Sequence, residues 1–132
     1  MELKLETICA LATGSGIGAI AVVRISGADA RKILSQCFSK DLSKAQSHTI
    51  HFGTISGKDD TQIDEVLVSY FEHGRSFTGE ESIEISCHGS PYVQQQILAV
   101  LQQCGCRMAE PGEFTKRAFI NGKLDLSQAE AV

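Results

Sequence analysis

Ser82-Ile83-Glu84-Ile85-Ser86-Cys87-His88-Gly89-Ser90-Pro91 changes its hydrophobic period midway. Ile83, Ile85 and Cys87 alternate with Ser82, Glu84, Ser86 and His88, the two-residue repeat of a half-buried strand, which turns Glu84 away from the apolar side. Beyond Gly89 the repeat becomes helical. Ser90 is a suitable N-cap and Pro91 a suitable first helical residue. Val93, Ile97, Val100 and Leu101 form one stripe, and Gly105 fits the left-handed position past the helix end.

Reading upstream, Thr49 to Ile55 and Ile63 to Phe71 are strand-like runs around the turn Gly57-Lys58-Asp59-Asp60 and predict a hairpin. The polar stretch from Ser39 to His48 reads as a loop. Ala30, Ile33, Leu34, Cys37 and Phe38 share one face of a helix that Ser26 or Gly27 can begin. Thr7 to Ala12 and Ala19 to Ile25 are β-branched and apolar, and predict neighbouring strands around the glycine-rich turn Thr13-Gly14-Ser15-Gly16-Ile17-Gly18. Downstream, a short strand from Cys106 to Ala109 precedes Glu110-Pro111-Gly112, and a helix runs from Glu113 to the turn-forming Asn121-Gly122. The order is two strands, helix, three strands, helix, strand, helix. This is an α+β class with a mixed or antiparallel sheet and helices packed on it.

The chain has 132 residues, 42% hydrophobic and 21% charged, enough for one ordinary core and one domain. No run approaches the ~20 apolar residues of a membrane span, and Met1-Glu2-Leu3-Lys4-Leu5-Glu6 lacks the layout of a signal peptide, so the expected location is cytoplasmic, with no membrane partner. Five cysteines, an odd number set in apolar patterns, read as reduced, buried thiols rather than a disulfide framework. A net charge of −4 argues against holding nucleic acid by phosphate neutralisation alone, so an RNA substrate would be held elsewhere in the molecule. Ser127-x-x-Glu130 is a capping box that opens a helix one turn before Val132. Since a lone helix needs ~12 residues for marginal stability, this predicts residues 1–126 as one domain and 127–132 as the start of a further, helical one.

Several patterns invite a chemical reading. Gly14-x-Gly16-x-x-Ala19 matches a dinucleotide fingerprint on paper, but the β-branched run from Ala19 to Ile25 prefers a strand where the fingerprint needs a helix. Gly57-Lys58 and Gly122-Lys123 lack the upstream glycine and following hydroxyl of a phosphate-binding loop. Cys87-His88 and Cys104-x-Cys106 lack metal-ligand spacing. Glu84 and His88 would be ~13 Å apart along a strand, too far for a direct pair. Arg24 is the only charge in its apolar run; its guanidinium either meets an anion or carboxylate, or reaches solvent past the Ser26-Gly27 turn, and the residues alone favour solvent. Glu84 on a solvated strand face and Lys123 after a flexible Asn-Gly read the same way.

Phe77-Thr78-Gly79-Glu80-Glu81, Ile83-Glu84, His88-Gly89 and the long run Glu110-Pro111-Gly112-Glu113-Phe114-Thr115-Lys116-Arg117-Ala118-Phe119-Ile120-Asn121-Gly122-Lys123-Leu124-Asp125-Leu126-Ser127-Gln128-Ala129-Glu130-Ala131 resemble the N-terminal domain of the MnmE (TrmE) family of tRNA-modifying GTPases. Val23-Arg24-Ile25-Ser26-Gly27 resembles the family's first motif, so the likeness runs from Thr7 to the last residue. It implies a domain similar to the folate-binding part of glycine-cleavage aminomethyltransferase, which binds formyl- or methylene-tetrahydrofolate and forms a homodimer. In the family, a helical domain and a GTPase domain follow, the latter binding GTP with magnesium and potassium. With the flavin-containing partner MnmG, in a heterotetramer, such proteins place an aminomethyl-type group at carbon five of the tRNA wobble uridine. The family's folate contacts fall on Arg24, Glu84 and Lys123, as binding rather than proton-transfer groups, and reverse the solvent readings above. The chain by itself is expected not to be catalytic. It departs from the family pattern at Gly14, Ser15 and Ile17, where prolines and an arginine are usual, and at Ser90, where a second glycine is usual. A stand-alone aminomethyltransferase-like enzyme and a ligand-free dimerisation scaffold are the competing readings.

Overall fold

A computed structural model describes residues 5–13 and 19–125. Nine elements follow in the expected order: β1 (Ile8–Leu11), β2 (Ile20–Ser26), α1 (Ala30–Leu34), β3 (Thr49–Ser56), β4 (Gln62–Phe71), β5 (Ser82–His88), α2 (Pro91–Gln103), β6 (Arg107–Met108) and α3 (Glu113–Ile120). They build one six-stranded sheet in the order β3-β4-β5-β2-β1-β6. Every neighbouring pair is antiparallel except β1 with β6, so the sheet is mixed and the class α+β, as the periodicity predicts.

Alternation sorts the two faces. Val23 and Ile25 of β2, Val66 and Val68 of β4, and Ile83 and Ile85 of β5 are buried in one cluster with Ala30, Ile33 and Leu34 of α1 and Ile97, Val100 and Leu101 of α2. The other face carries Arg24 and Glu84, and toward the β3 edge Ile50, Phe52 and Leu67, all three exposed. All five cysteines are buried, free thiols, as their apolar settings predict. Burial and the neighbouring Cys104 push the Cys37 thiol up to about 12, and burial with the nearby Asp64 carboxylate pushes Cys87 up to about 11. Both stay protonated and pack as small hydrophobes.

The boundaries differ from the sequence reading in informative places. α1 starts after Asp29, not at Ser26 or Gly27: Ser26 ends β2, and Gly27 has φ +146 with a Cβ there only 2.4 Å from Thr7 Oγ1. Thr7 Oγ1 accepts the Asp29 amide instead, at 3.2 Å. α1 also ends at Leu34; Phe38 leaves the helical path to bridge Ile55, its ring lying where a side chain on Gly53 would otherwise stand. All five residues of the predicted stripe are nonetheless buried, because a turn replaces the last helical turn without moving them from the core. Ser90 is the N-cap of α2 and Pro91 its first residue, while Gly105 takes φ +121 beyond the end. The glycine-rich turn at residues 14–18 and the capping box at Ser127 lie outside the described residues. Among those described, no helix is long and apolar enough to cross a membrane.

Candidate functional site

Arg24 and Glu84 are sixty residues apart in sequence and face each other directly across the β2–β5 ladder. Arg24 donates from Nε at 3.1 Å and from Nη2 at 2.9 Å, both to Oε2 of Glu84. Oε1 accepts no hydrogen bond from the described residues. The Arg24 guanidinium carbon also lies 5.5 Å from the ring centre of Phe77 and 5.4 Å from that of Phe114, so two aromatic faces and a carboxylate hold one half-buried cation. The sequence reading that sent both side chains separately into solvent therefore gives way to a pair, because strand pairing cancels two charges that looked isolated.

Beside this pair is a recess of about 180 Å³, lined by Arg24, Glu84, Ser82, Phe71 and His48 and by Arg75, Ser76 and Phe77. One wall is the segment joining β4 to β5, residues 72–81, and it is anchored at several points. Thr78 is fully buried, with its hydroxyl 2.7 Å from that of Ser26. Ser26 also donates to Glu80 at 2.8 Å. Arg117 of α3, only 2% exposed, bonds Glu80 at 3.1 Å and Glu113 at 3.1 Å, and Arg107 closes the chain of alternating charges on Glu113 at 2.7 Å. The Arg107 hydrogen bond holds the Glu113 carboxyl down to about 2. Glu81 turns the other way and binds Arg31 at 3.0 Å and the Tyr70 hydroxyl at 3.1 Å.

Lys123 reaches the same segment. Its Nζ donates to the Gly74 carbonyl, and Asn121 donates to the Thr78 carbonyl at 2.8 Å. Gly79, at φ +83, lets this strap lie close, since a Cβ there would stand 2.8 Å from that of Asn121. The structure thus joins Arg24 to Glu84 directly, and brings Lys123 to the tip of the loop that walls their recess rather than to the pair itself. The joint between residues 77–81 and α3 was invisible to periodicity. Only the Glu113–Arg117 spacing, four residues on one helix, could have signalled part of it.

Two other features were missed. His88 Nδ1 lies 2.7 Å from Asp64 Oδ1, and Asp64 also accepts the His88 amide at 2.9 Å, so this histidine is oriented by β4 and not by Glu84. A larger cavity of about 430 Å³ lies between α1 and residues 40–43. Its Arg31 is already spent on Glu81 and on the Leu42 and Ser43 carbonyls, and Lys32 and Lys40 also line it. Among the described residues no group of three or more His, Cys, Asp or Glu could hold a metal ion.

Comparison with known proteins bears on this arrangement. Residues 7–123 match the family model described as the GTP-binding protein TrmE N-terminus. The chain is 60% identical over 131 residues to the tRNA modification GTPase MnmE of Flavobacterium johnsoniae, a match covering 96% of this chain and 28% of that protein. It is 53% identical over 133 residues to the protein of the same description from Parabacteroides distasonis, covering 97% of this chain and 29% of the relative. The chain therefore spans little more than a quarter of the length of these relatives. Arg24, Glu84, Lys123 and both halves of the Glu80–Arg117 joint lie inside the matched span, and the chain belongs to the TrmE N-terminal family.

Proposed function

We propose that the Arg24–Glu84 recess binds a one-carbon tetrahydrofolate, formyl- or methylene-, in a fold similar to that of the folate-binding part of glycine-cleavage aminomethyltransferase. The observation that carries this is the geometry of the pair. Glu84 offers Oε1 to a ring that presents paired N–H donors, as a pterin does, while Arg24 is held in place by Oε2 and two aromatic faces. Lys123 at the loop tip supplies a cation for the carboxylates at the other end of such a molecule. These are proposed as binding roles rather than proton-transfer roles.

The recess, at about 180 Å³, is smaller than the roughly 300–1,000 Å³ of ordinary ligand pockets, so part of the ligand must lie outside it or be covered by another surface. A second copy of the chain suits that need. Ile50, Phe52 and Leu67 form an exposed apolar patch on the face that also carries Arg24 and Glu84, and a homodimer would remove it from water. The whole protein, in this reading, is a cytoplasmic GTPase using GTP, magnesium and potassium. It works with MnmG on the wobble uridine of tRNA and takes the added carbon from the folate held here.

Calorimetric titration with formyl-tetrahydrofolate, repeated with Glu84→Ala and Arg24→Ala, tests the site. Saturable binding lost in both variants, with folding intact, is expected. Equal affinity in all three proteins would remove the site from the recess. Failure of the unsubstituted protein to bind, in this chain and in the full-length protein alike, would leave the ligand-free scaffold as the better reading.

A further inference from the structure

The tip of the 72–81 segment gathers basic groups in a chain whose net charge is −4. Lys123 meets the Gly74 carbonyl, Arg75 is the next residue, and His48 lines the recess beside it. Arg75 is weakly committed: its contact with Glu72 is 3.5 Å long between two exposed side chains, and no other described residue bonds its guanidinium. Arg24 is balanced by Glu84 and Arg75 loosely by Glu72, so the excess charge at this end is the positive one of Lys123.

His48 is positioned by more than chance. Its backbone has φ 66, in the left-handed region that a non-glycine residue adopts at a cost, and its amide is pinned to the Tyr70 carbonyl at 2.7 Å. The ring stands edge-on to Phe71, 5.1 Å between centres, and Nδ1 pairs with the Ser47 hydroxyl at 2.8 Å. That hydroxyl in turn accepts the Glu72 amide at 3.0 Å, which ties the His48 turn to the base of the same loop. Nε2 has no partner among the described residues.

We propose that Arg75 extends the cationic wall begun at Lys123, with Nε2 of the His48 ring as a polar contact beside it, so that the recess prefers a ligand ending in several carboxylates, a poly-γ-glutamyl tail. This rests on the folate reading and adds to it: the ring-sized recess takes the head, and the tail crosses the loop tip. The two groups come from segments that meet only in the folded chain, 47–48 and 72–76, and both line the recess. A carboxylate arriving there replaces the long Arg75–Glu72 contact with a shorter one.

The test compares three probes by calorimetry on the full-length protein: 5-formyl-tetrahydrofolate with one glutamate, the same with three, and 6-methyltetrahydropterin, which has no tail. Arg75→Ala is safe on an exposed turn, and His48→Asn keeps a residue tolerant of left-handed backbone while shortening the reach. Tighter binding of the triglutamate than of the monoglutamate is expected, with each substitution weakening the triglutamate about fivefold and leaving the tail-less pterin unchanged. Folate binding that is indifferent to tail length and to both substitutions, yet still abolished by Glu84→Ala, overturns this inference and leaves the folate site standing. Absence of any binding to the unsubstituted protein overturns both.

Discussion

Arg117→Met is the most discriminating perturbation of the scaffold. Arg117 has a side chain 3% exposed, and it bridges two carboxylates, Glu80 and Glu113, that are each 14% exposed. Methionine keeps the aliphatic volume and removes the charge. Glu113 retains Arg107 at 2.7 Å, so the loss falls on Glu80, which keeps only the Ser26 hydroxyl at 2.8 Å. Breaking a buried ion pair from one side costs about 3–5 kcal/mol, and the surviving hydroxyl places this case near 3 kcal/mol. For a domain of this size that lowers Tm by roughly 10 °C. Urea unfolding followed by far-ultraviolet circular dichroism is the suitable assay, since the chain has no tryptophan. The cost lies in stranding a carboxylate, so adding Glu80→Gln to Arg117→Met should restore more than half of the lost stability. A loss below about 1 kcal/mol, or a double variant no better than the single one, would refute the claim that this buried pair holds the 72–81 segment on α3.

Glu113 has its carboxyl lowered to about 2 in the folded state, so its contribution to stability is complete above the ordinary carboxylate range and is lost as pH falls from about 5 toward 2. Arg107→Ala should flatten that part of the stability profile measured by urea titration at several pH values. The five buried thiols should react with a thiol reagent at pH 8 only on unfolding, five equivalents in denaturant and none in the native state; a fast native equivalent would contradict the burial. Phe52→Asp, on the exposed patch, should shift a dimer toward monomer in sedimentation with a change in stability of less than about 0.5 kcal/mol, and an unaltered dimer would move the interface elsewhere.

What could be read from the sequence divides along physical lines. The strand from Ser82 to His88 and the helix after Pro91 are set by local periodicity and by Pro91 and Gly105 at the helix ends, and both stand where these predict. The end of α1 was not legible, because Phe38 departs to fill the space above Gly53, a contact that no local pattern encodes. Arg24, Glu84 and Lys123 were singled out as ligand contacts through resemblance alone. Each is bland in isolation, and the property that makes the first two a candidate site, facing one another at Arg24↔Glu84, depends on a register between strands sixty residues apart. His48 and Arg75 had no signal at all, since neither a left-handed backbone at a histidine nor a loop cation is marked by composition.

The two kinds of ion pair explain why the family motifs outnumber the candidate contacts. Arg24–Glu84 is 25% and 31% exposed, a pair whose removal should cost at most about 1 kcal/mol of stability while abolishing ligand binding. Arg117–Glu80 is buried and touches no part of the recess, so its removal should cost about three times as much and affect a ligand only through the loop it anchors. Most of Phe77-Thr78-Gly79-Glu80-Glu81 and of the run from Glu110 to Lys123 is of the second kind. Thr78, Glu80, Glu113, Arg117 and Asn121 join two distant segments into one support, and only Phe77, Phe114 and Lys123 project from it toward the recess or its rim. A site on a loop needs such a joint, because a half-open recess walled by an unanchored segment would lose its shape in the absence of ligand and would have to order that segment on binding.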